Sequence, residues 1–183
     1  MPKRPDGSRI VDEERSYIDT WIDMEKLLKT GKTKAIGVSN VSQALLEPLL
    51  EKATVVPAAN QVELHPYLPQ HELFKFCTSK GILMQAYSPL GSTNSPLLEE
   101  PVVVEIAKAH SVSPATVVLS WGAQRGGNVL PKSVTPERIV SNGKLVGLSK
   151  EEMKRLDELS QEEGKTKRFI KPDWGFDLKF DNW

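Results

Sequence analysis

The feature that most limits what this chain can fold into is a repeated alternation. Short apolar runs, each closed by polar residues, are followed by amphipathic stretches. The runs fall at residues 35–38, 55–62, 82–87 and 128–130. The stretches between and around them fall at 16–30, 42–53, 70–80, 102–110, 114–125, a brief segment after Thr135, and 149–163. Ile18, Trp21, Ile22, Met24, Leu27 and Leu28 recur at helical spacing, Ser16 is a cap and Gly31 a left-handed stop. Leu73, Phe76 and Cys77 form the inward side of the third stretch, which Gly81 ends. Pro101, Pro114 and Pro136 suit first-turn positions, where a missing N–H costs nothing. Pro48 lies inside a stretch, so either its first turn is irregular or the helix starts near Glu47. Strands alternating with helices make parallel βα units. Residues 1–15 and 88–100 read as loops, and the tail, 165–183, holds Phe169, Trp174, Phe176, Phe180 and Trp183 without a period.

The chain's 183 residues suffice for one good-sized domain or two small ones. Lys and Arg number 24, as do Asp and Glu, so the net charge is zero and nothing favours a nucleic-acid partner. At 39% hydrophobic and 26% charged, the composition is that of a globular protein. Cys77 stands alone, which excludes an internal disulfide and a cysteine-built metal cluster and suits a reducing compartment. The first residues are charged and broken by Pro2, Pro5 and Gly7, and no apolar run approaches the ~20 residues of a membrane span. The expectation is a soluble, cytoplasmic protein with no membrane partner and no metal site.

Chemistry-bearing residues gather where the runs end. Ser39 and Asn40 follow the first, Gln61 closes the second, Tyr87 and Ser88 the third, and Lys132, Ser133, Thr135 and Arg138 follow the fourth. The carboxyl ends of parallel strands are where α/β folds place ligands. Taken singly, any one of these residues is better accounted for by helix capping. The stretch 130–138 is harder to explain that way. Lys132 and Arg138 bracket a helix start whose free N–H groups attract anions, and Ser133 and Thr135 add hydroxyls. Together they suit a doubly charged phosphate monoester.

Four linked segments carry a specific resemblance. Ala35-Ile36-Gly37-Val38-Ser39-Asn40, Asn60-Gln61-Val62-Glu63-Leu64-His65-Pro66-Tyr67-Leu68, Ala86-Tyr87-Ser88-Pro89-Leu90-Gly91-Ser92 and residues 130–138 resemble the aldo-keto reductase family in order and spacing, from about Asp6 to about Asn142. The wording is similar to that of fungal members that reduce small aldehydes or sugars. The resemblance implies a (β/α)₈ barrel that holds NADP(H). It gives Ser39, Asn40 and Gln61 the nicotinamide carboxamide, and Tyr87 the stacking face. It gives Ser88, Leu90 and Ser92 the pyrophosphate, and Lys132, Ser133, Val134, Thr135 and Arg138 the adenosine 2′-phosphate. Asn142 takes the adenine, although Ser141 stands where many members carry Glu.

In the family, four strands precede these motifs and bring the catalytic Asp, Tyr, Lys and His. The chain starts in the loop after the fourth strand and matches none of that tetrad, so no catalytic residue is assigned. The expected fold class is α/β, the C-terminal half of a (β/α)₈ TIM barrel, with about four parallel strands and flanking helices. All 183 residues form one partial domain ending in the 165–183 tail. A whole barrel needs ~250 residues. The implied activity is hydride transfer to a small aldehyde, ketone or sugar carbonyl. This chain alone is expected to be inactive. The alternatives are a noncatalytic nucleotide-binding or assembly module and a truncated gene product. Open sheet edges are expected to favour self-association, with Ile36, Val62, Met84 and Ala86 facing the barrel's missing wall.

Overall fold

A computed structural model describes residues 2–12, 14–93 and 95–183. Four strands, β1 (Val38–Ser39), β2 (Ala59–Glu63), β3 (Leu83–Tyr87) and β4 (Asn128–Val129), form one sheet in that spatial order. Every neighbouring pair is parallel, and Ser39, Gln61, Gln85 and Asn128 fall in one cross-sheet row. The helices are α1 (Tyr17–Leu28), α2 (Gln43–Lys52), α3 (His71–Ser79), α4 (Pro101–Ala109), α5 (Pro114–Gln124), α6 (Pro136–Asn142) and α7 (Lys150–Glu158). Local sequence explains their starts. Ser16 and Ser149 each form a reciprocal capping box, with Asp19 and Glu152, and the Ser113 hydroxyl accepts from Thr116 N.

Pro48 sits inside α2, which starts at Gln43 and not near Glu47. The first turn is the irregular one, since the Ser42 carbonyl accepts from both Leu45 N and Leu46 N. Burial of Leu46 and Leu49 holds the helix across the proline's lost bond. The 88–100 loop is not wholly irregular either: Pro96–Glu99 is a 3₁₀ turn capped by Ser95, and Leu97 anchors it in the core. β1 lies later than the apolar run suggested. Ile36 O still accepts from Ala58 N, but the ladder proper begins at Val38.

The sheet has one covered face and one open face. Asn60, Val62, Met84 and Ala86 are buried, and the last three pack with Leu46, Leu73, Cys77, Val117, Val118 and Trp121 against the helices. Ile36 joins Trp21 and Leu49 in a second cluster under α1. This corrects the expectation that Ile36, Val62, Met84 and Ala86 face the missing wall. Side chains alternate along a strand, and burial against the helices claims the apolar set. The opposite face therefore carries Ser39, Gln61, Gln85, Tyr87 and Asn128 and is largely polar. Among the described residues, no single helix is long and apolar enough to cross a membrane.

Candidate cofactor site

The site starts at the end of β1. Asn40 adopts a left-handed backbone (φ 54°), its N–H donates to Gln61 O at 2.9 Å, and the Ser39 hydroxyl donates to the same carbonyl at 3.0 Å. Gln61 Nε2 reaches Gln85 Oε1 at 3.1 Å across the open face, fixing the Gln61 amide. Asn40 Oδ1 and the Tyr87 hydroxyl are buried without hydrogen-bond partners. An unpaired buried acceptor costs about 1–3 kcal/mol, so these atoms fit a ligand with an amide at the strand ends. Burial pushes the Tyr87 phenol above its ordinary pKa, with Glu63 adding to the rise.

After β3, Ser88 turns left-handed (φ 46°) and its carbonyl accepts from Gly91 N at 2.9 Å. Ser92 O accepts from Ser95 N at 2.9 Å, so the loop is a pair of tight turns. The Leu90 side chain packs against the core, leaving its backbone to the loop.

The far end of the site follows β4. Lys132, Ser133 and Asn142 line a cleft of about 550 Å³ with Pro131, Ile139 and Gly143. Lys132 and Arg138 are exposed and, among the described residues, neither makes an ion pair. Arg138 precedes Asn142 by one turn of the same helix. The structure does not bring every expected residue into the cleft: Val134 is 81% exposed beside it, and Thr135 and Arg138 do not line it. Thr135 makes no side-chain cap, and the Ser133 hydroxyl instead accepts from Thr135 N at 3.1 Å. With only 7 residues, α6 adds little dipole, and the positive character here comes from Lys132 and Arg138.

Two carboxylates missed at the sequence level tie the tail over this face. Glu63, wholly buried at the end of β2, accepts from His65 Nε2 (3.0 Å), Phe169 N (2.7 Å) and Ile170 N (2.9 Å). Burial alone would raise its pKa, but these bonds outweigh burial and hold it below the ordinary value. Glu100 accepts from Lys165 Nζ at 2.8 Å and from the Tyr67 hydroxyl. Arg168, 5% exposed, donates to Asn182 Oδ1 at 2.9 Å and lies against the stacked pair Phe180 and Trp183, 4.8 and 4.9 Å from their centroids. The available signal was a carboxylate ending a buried strand, which demands partners. The larger cleft, about 670 Å³, lies between the starts of α2 and α3 and the tail and is lined by none of the expected residues. Among the described residues, no group of three or more His, Cys, Asp or Glu is arranged to hold a metal.

A parallel sheet with helices on one face and polar groups at its strand ends is the layout of part of a (β/α)₈ barrel. The chain belongs to the aldo/keto reductase family, whose model matches residues 8–161. It is 54% identical over 177 residues to glycerol 2-dehydrogenase (NADP(+)) of Saccharomyces cerevisiae, covering 95% of this chain and 56% of that protein. It is 50% identical over 183 residues to D-galacturonate reductase of Hypocrea jecorina, covering 98% of this chain and 59% of that protein. The aldose reductase structure from Schistosoma japonicum superposes with a TM-score of 0.80 at 39% identity, covering 85% of this chain and 51% of that one. The chain thus spans little more than half the length of these relatives.

Proposed function

We propose that this chain is the cofactor-cradling part of an NADP(H)-dependent aldo-keto reductase acting on a small aldehyde, ketone or sugar carbonyl. The observation that carries this reading is the pairing of two unsatisfied ends at one edge of the sheet. Buried, unpartnered Asn40 Oδ1 and the Tyr87 hydroxyl lie at one end, and the Lys132–Ser133–Asn142 cleft lies at the other, with Lys132 in its lining and Arg138 on the helix that Asn142 ends. When bound, NADPH supplies the hydride. Asn40, Ser39 and Gln61 hold its carboxamide, and Tyr87 offers its ring as a stacking face. The Ser88–Leu90–Ser92 turn follows the pyrophosphate. Lys132, Ser133 and Arg138 hold the 2′-phosphate, with Val134 and Thr135 alongside, and Asn142 meets the adenine. Names such as glycerol 2-dehydrogenase and D-galacturonate reductase support a small, hydroxylated carbonyl substrate. A cytoplasmic setting goes with this reading.

The proton that the reduced carbonyl needs has no assigned donor here. His65 is buried against Glu63, His110 bonds Glu152 at 2.8 Å, and His71 faces Asp157 O at 3.3 Å on the helical side. Positioned acid–base groups contribute roughly 10²–10⁴-fold, so the 183 residues by themselves are expected to bind dinucleotide without turning over. An assembly role draws support from the outer strands β1 and β4 and from the exposed apolar side chains of Val134, Ile139 and Val140. These surfaces suit a partner that closes the barrel.

Calorimetric titration with NADPH and NADH tests the reading. NADPH should bind tighter, and Arg138→Ala should weaken it roughly 10- to 150-fold, because a charge-assisted hydrogen bond contributes about 1.5–3 kcal/mol. NADH affinity should barely change. Equal losses for both dinucleotides would remove the 2′-phosphate assignment.

A further inference from the structure

We infer that Glu63 and Arg168 are positioning residues that clasp the tail onto Tyr87 and thereby set the orientation of its ring. The inference rests on the cofactor reading for its functional consequence, but the clasp itself is read from geometry. The tail crosses the open face where β2 and β3 end, and Glu63 and Tyr87 are cross-strand partners in that last row. Both oxygens of Glu63 are used: Oε1 takes Phe169 N and Oε2 takes Ile170 N. The preceding residue, Arg168, is thereby drawn over the sheet, its Nε and Nη2 directed to Asn182 and its plane packed against Phe180 and Trp183. Nη1 is left buried and unpartnered, as is the Tyr87 hydroxyl, and the two groups interact electrostatically.

The arrangement has a directional logic. A carboxylate that accepts two adjacent backbone N–H groups fixes the path of the chain, and a guanidinium that lies against a stacked pair of rings and is hydrogen-bonded to Asn182 has little freedom of its own. The tail that Glu63 holds against the last row of the sheet thus forms a wall next to Tyr87, and the Tyr87 hydroxyl, Arg168 Nη1 and Asn40 Oδ1 are all buried there. With that wall in place the phenol ring has one resting orientation, and its face is available as a platform. Without the clasp, Arg168 withdraws and the ring can swing into the space. Tail order and the stacking site are thus one unit, although Glu63 and Phe169 lie 106 positions apart.

Glu63→Gln tests this without changing side-chain size, because the new amide must turn its NH₂ toward Phe169 N or Ile170 N and cannot accept from both. Arg168→Met, which keeps the stem and removes the charge, is the second variant should the first fail to fold. Hydrogen exchange of the 165–183 segment, the NMR signals of the Tyr87 ring, and titrations with NADPH and NADH are the readouts. Tail exchange should rise about ten-fold or more and the Tyr87 ring signals should shift or broaden. The dissociation constants for the two dinucleotides should rise by the same factor, because Lys132 and Arg138 are untouched. Ring signals that stay in place while the tail loosens would show that the clasp merely holds the tail, and the inference would fall. So would tail exchange that is unchanged in both variants. If the parent chain binds neither dinucleotide, the cofactor reading falls, while the Tyr87 ring signals still decide the clasp.

Discussion

Met84 and Gln85 are chain neighbours on opposite faces of β3, and replacing each by alanine tests which face of the sheet is the core. Met84 is 2% exposed among Leu, Val and Trp side chains. Its truncation removes buried methylenes and leaves a cavity, at about 2–5 kcal/mol. Gln85 is half-buried and its recorded side-chain partner is Gln61. Losing that neutral bond should cost about 0.5–1.5 kcal/mol. For a chain of this size each kcal/mol lowers the melting temperature by roughly 2–4 °C. Met84→Ala should therefore fall by roughly 4–20 °C and Gln85→Ala by roughly 1–6 °C. Thermal unfolding followed by circular dichroism, with urea midpoints as a check, measures both. Binding should separate the pair the other way. At a temperature where both are folded, Gln85→Ala frees the Gln61 amide and weakens dinucleotide binding, whereas Met84→Ala leaves it intact. Equal destabilisation, or a milder loss for Met84→Ala, would mean that Met84 faces the open side and that the assignment of the faces is wrong.

The tail should loosen in acid. Glu63 and Glu100 both have pKa values held below the ordinary 4.5, so their contribution is complete above that value and disappears as pH falls through the folded-state pKa. Protection factors of the tail amides, that is exchange corrected for the intrinsic pH dependence of free amides, should fall sharply between pH 7 and roughly pH 3, on either side of the ordinary carboxylate range, and unchanged protection would refute the clasp's electrostatics. Asn40→Gly keeps the left-handed backbone and removes an unpartnered amide, so stability should hold or improve while dinucleotide affinity drops. Asn40→Ala should instead lose about 1–2 kcal/mol to backbone strain, and equal urea midpoints for the two variants would contradict this. Sedimentation at micromolar concentration should show self-association that Ile139→Lys reduces, since Ile139 is 56% exposed on a helix with no buried residue. A sharp monomer for the parent chain would refute the assembly surface.

The order and kind of the elements were legible because local signals and burial agree. Ser16 caps where its sequence suggests, and Pro101, Pro114 and Pro136 open their helices. The choice of face was not legible. Val62 and Met84 announce burial, but period-two alternation is silent on whether helices or an opposite wall buries them. At the site, strand-end residues could be read from the chain because they follow apolar runs directly. Glu63 could not be given its role in holding the tail, because its partners there are backbone groups of Phe169 and Ile170, and a backbone donor leaves no mark on a sequence. Thr135 illustrates the reverse error: it stands at the N-cap position and its type suits a cap, yet its hydroxyl makes no cap bond, while its own N–H donates to the Ser133 hydroxyl.

The bond from Phe169 N to Glu63 also has a kinetic side. It joins positions 106 apart, whereas the strand ladder and the α4–α5 pairing join segments much closer in the chain. Closing so long a loop is entropically unfavourable until the rest of the chain is already compact. The tail should then dock last, after the sheet and its helices have formed, and its docking should appear as a slow, separate phase in refolding. During synthesis the same ordering means that the nascent chain exposes its strand ends until residues 165–183 emerge. Tyr87 would become a fixed platform only after Phe169 and Ile170 have reached Glu63.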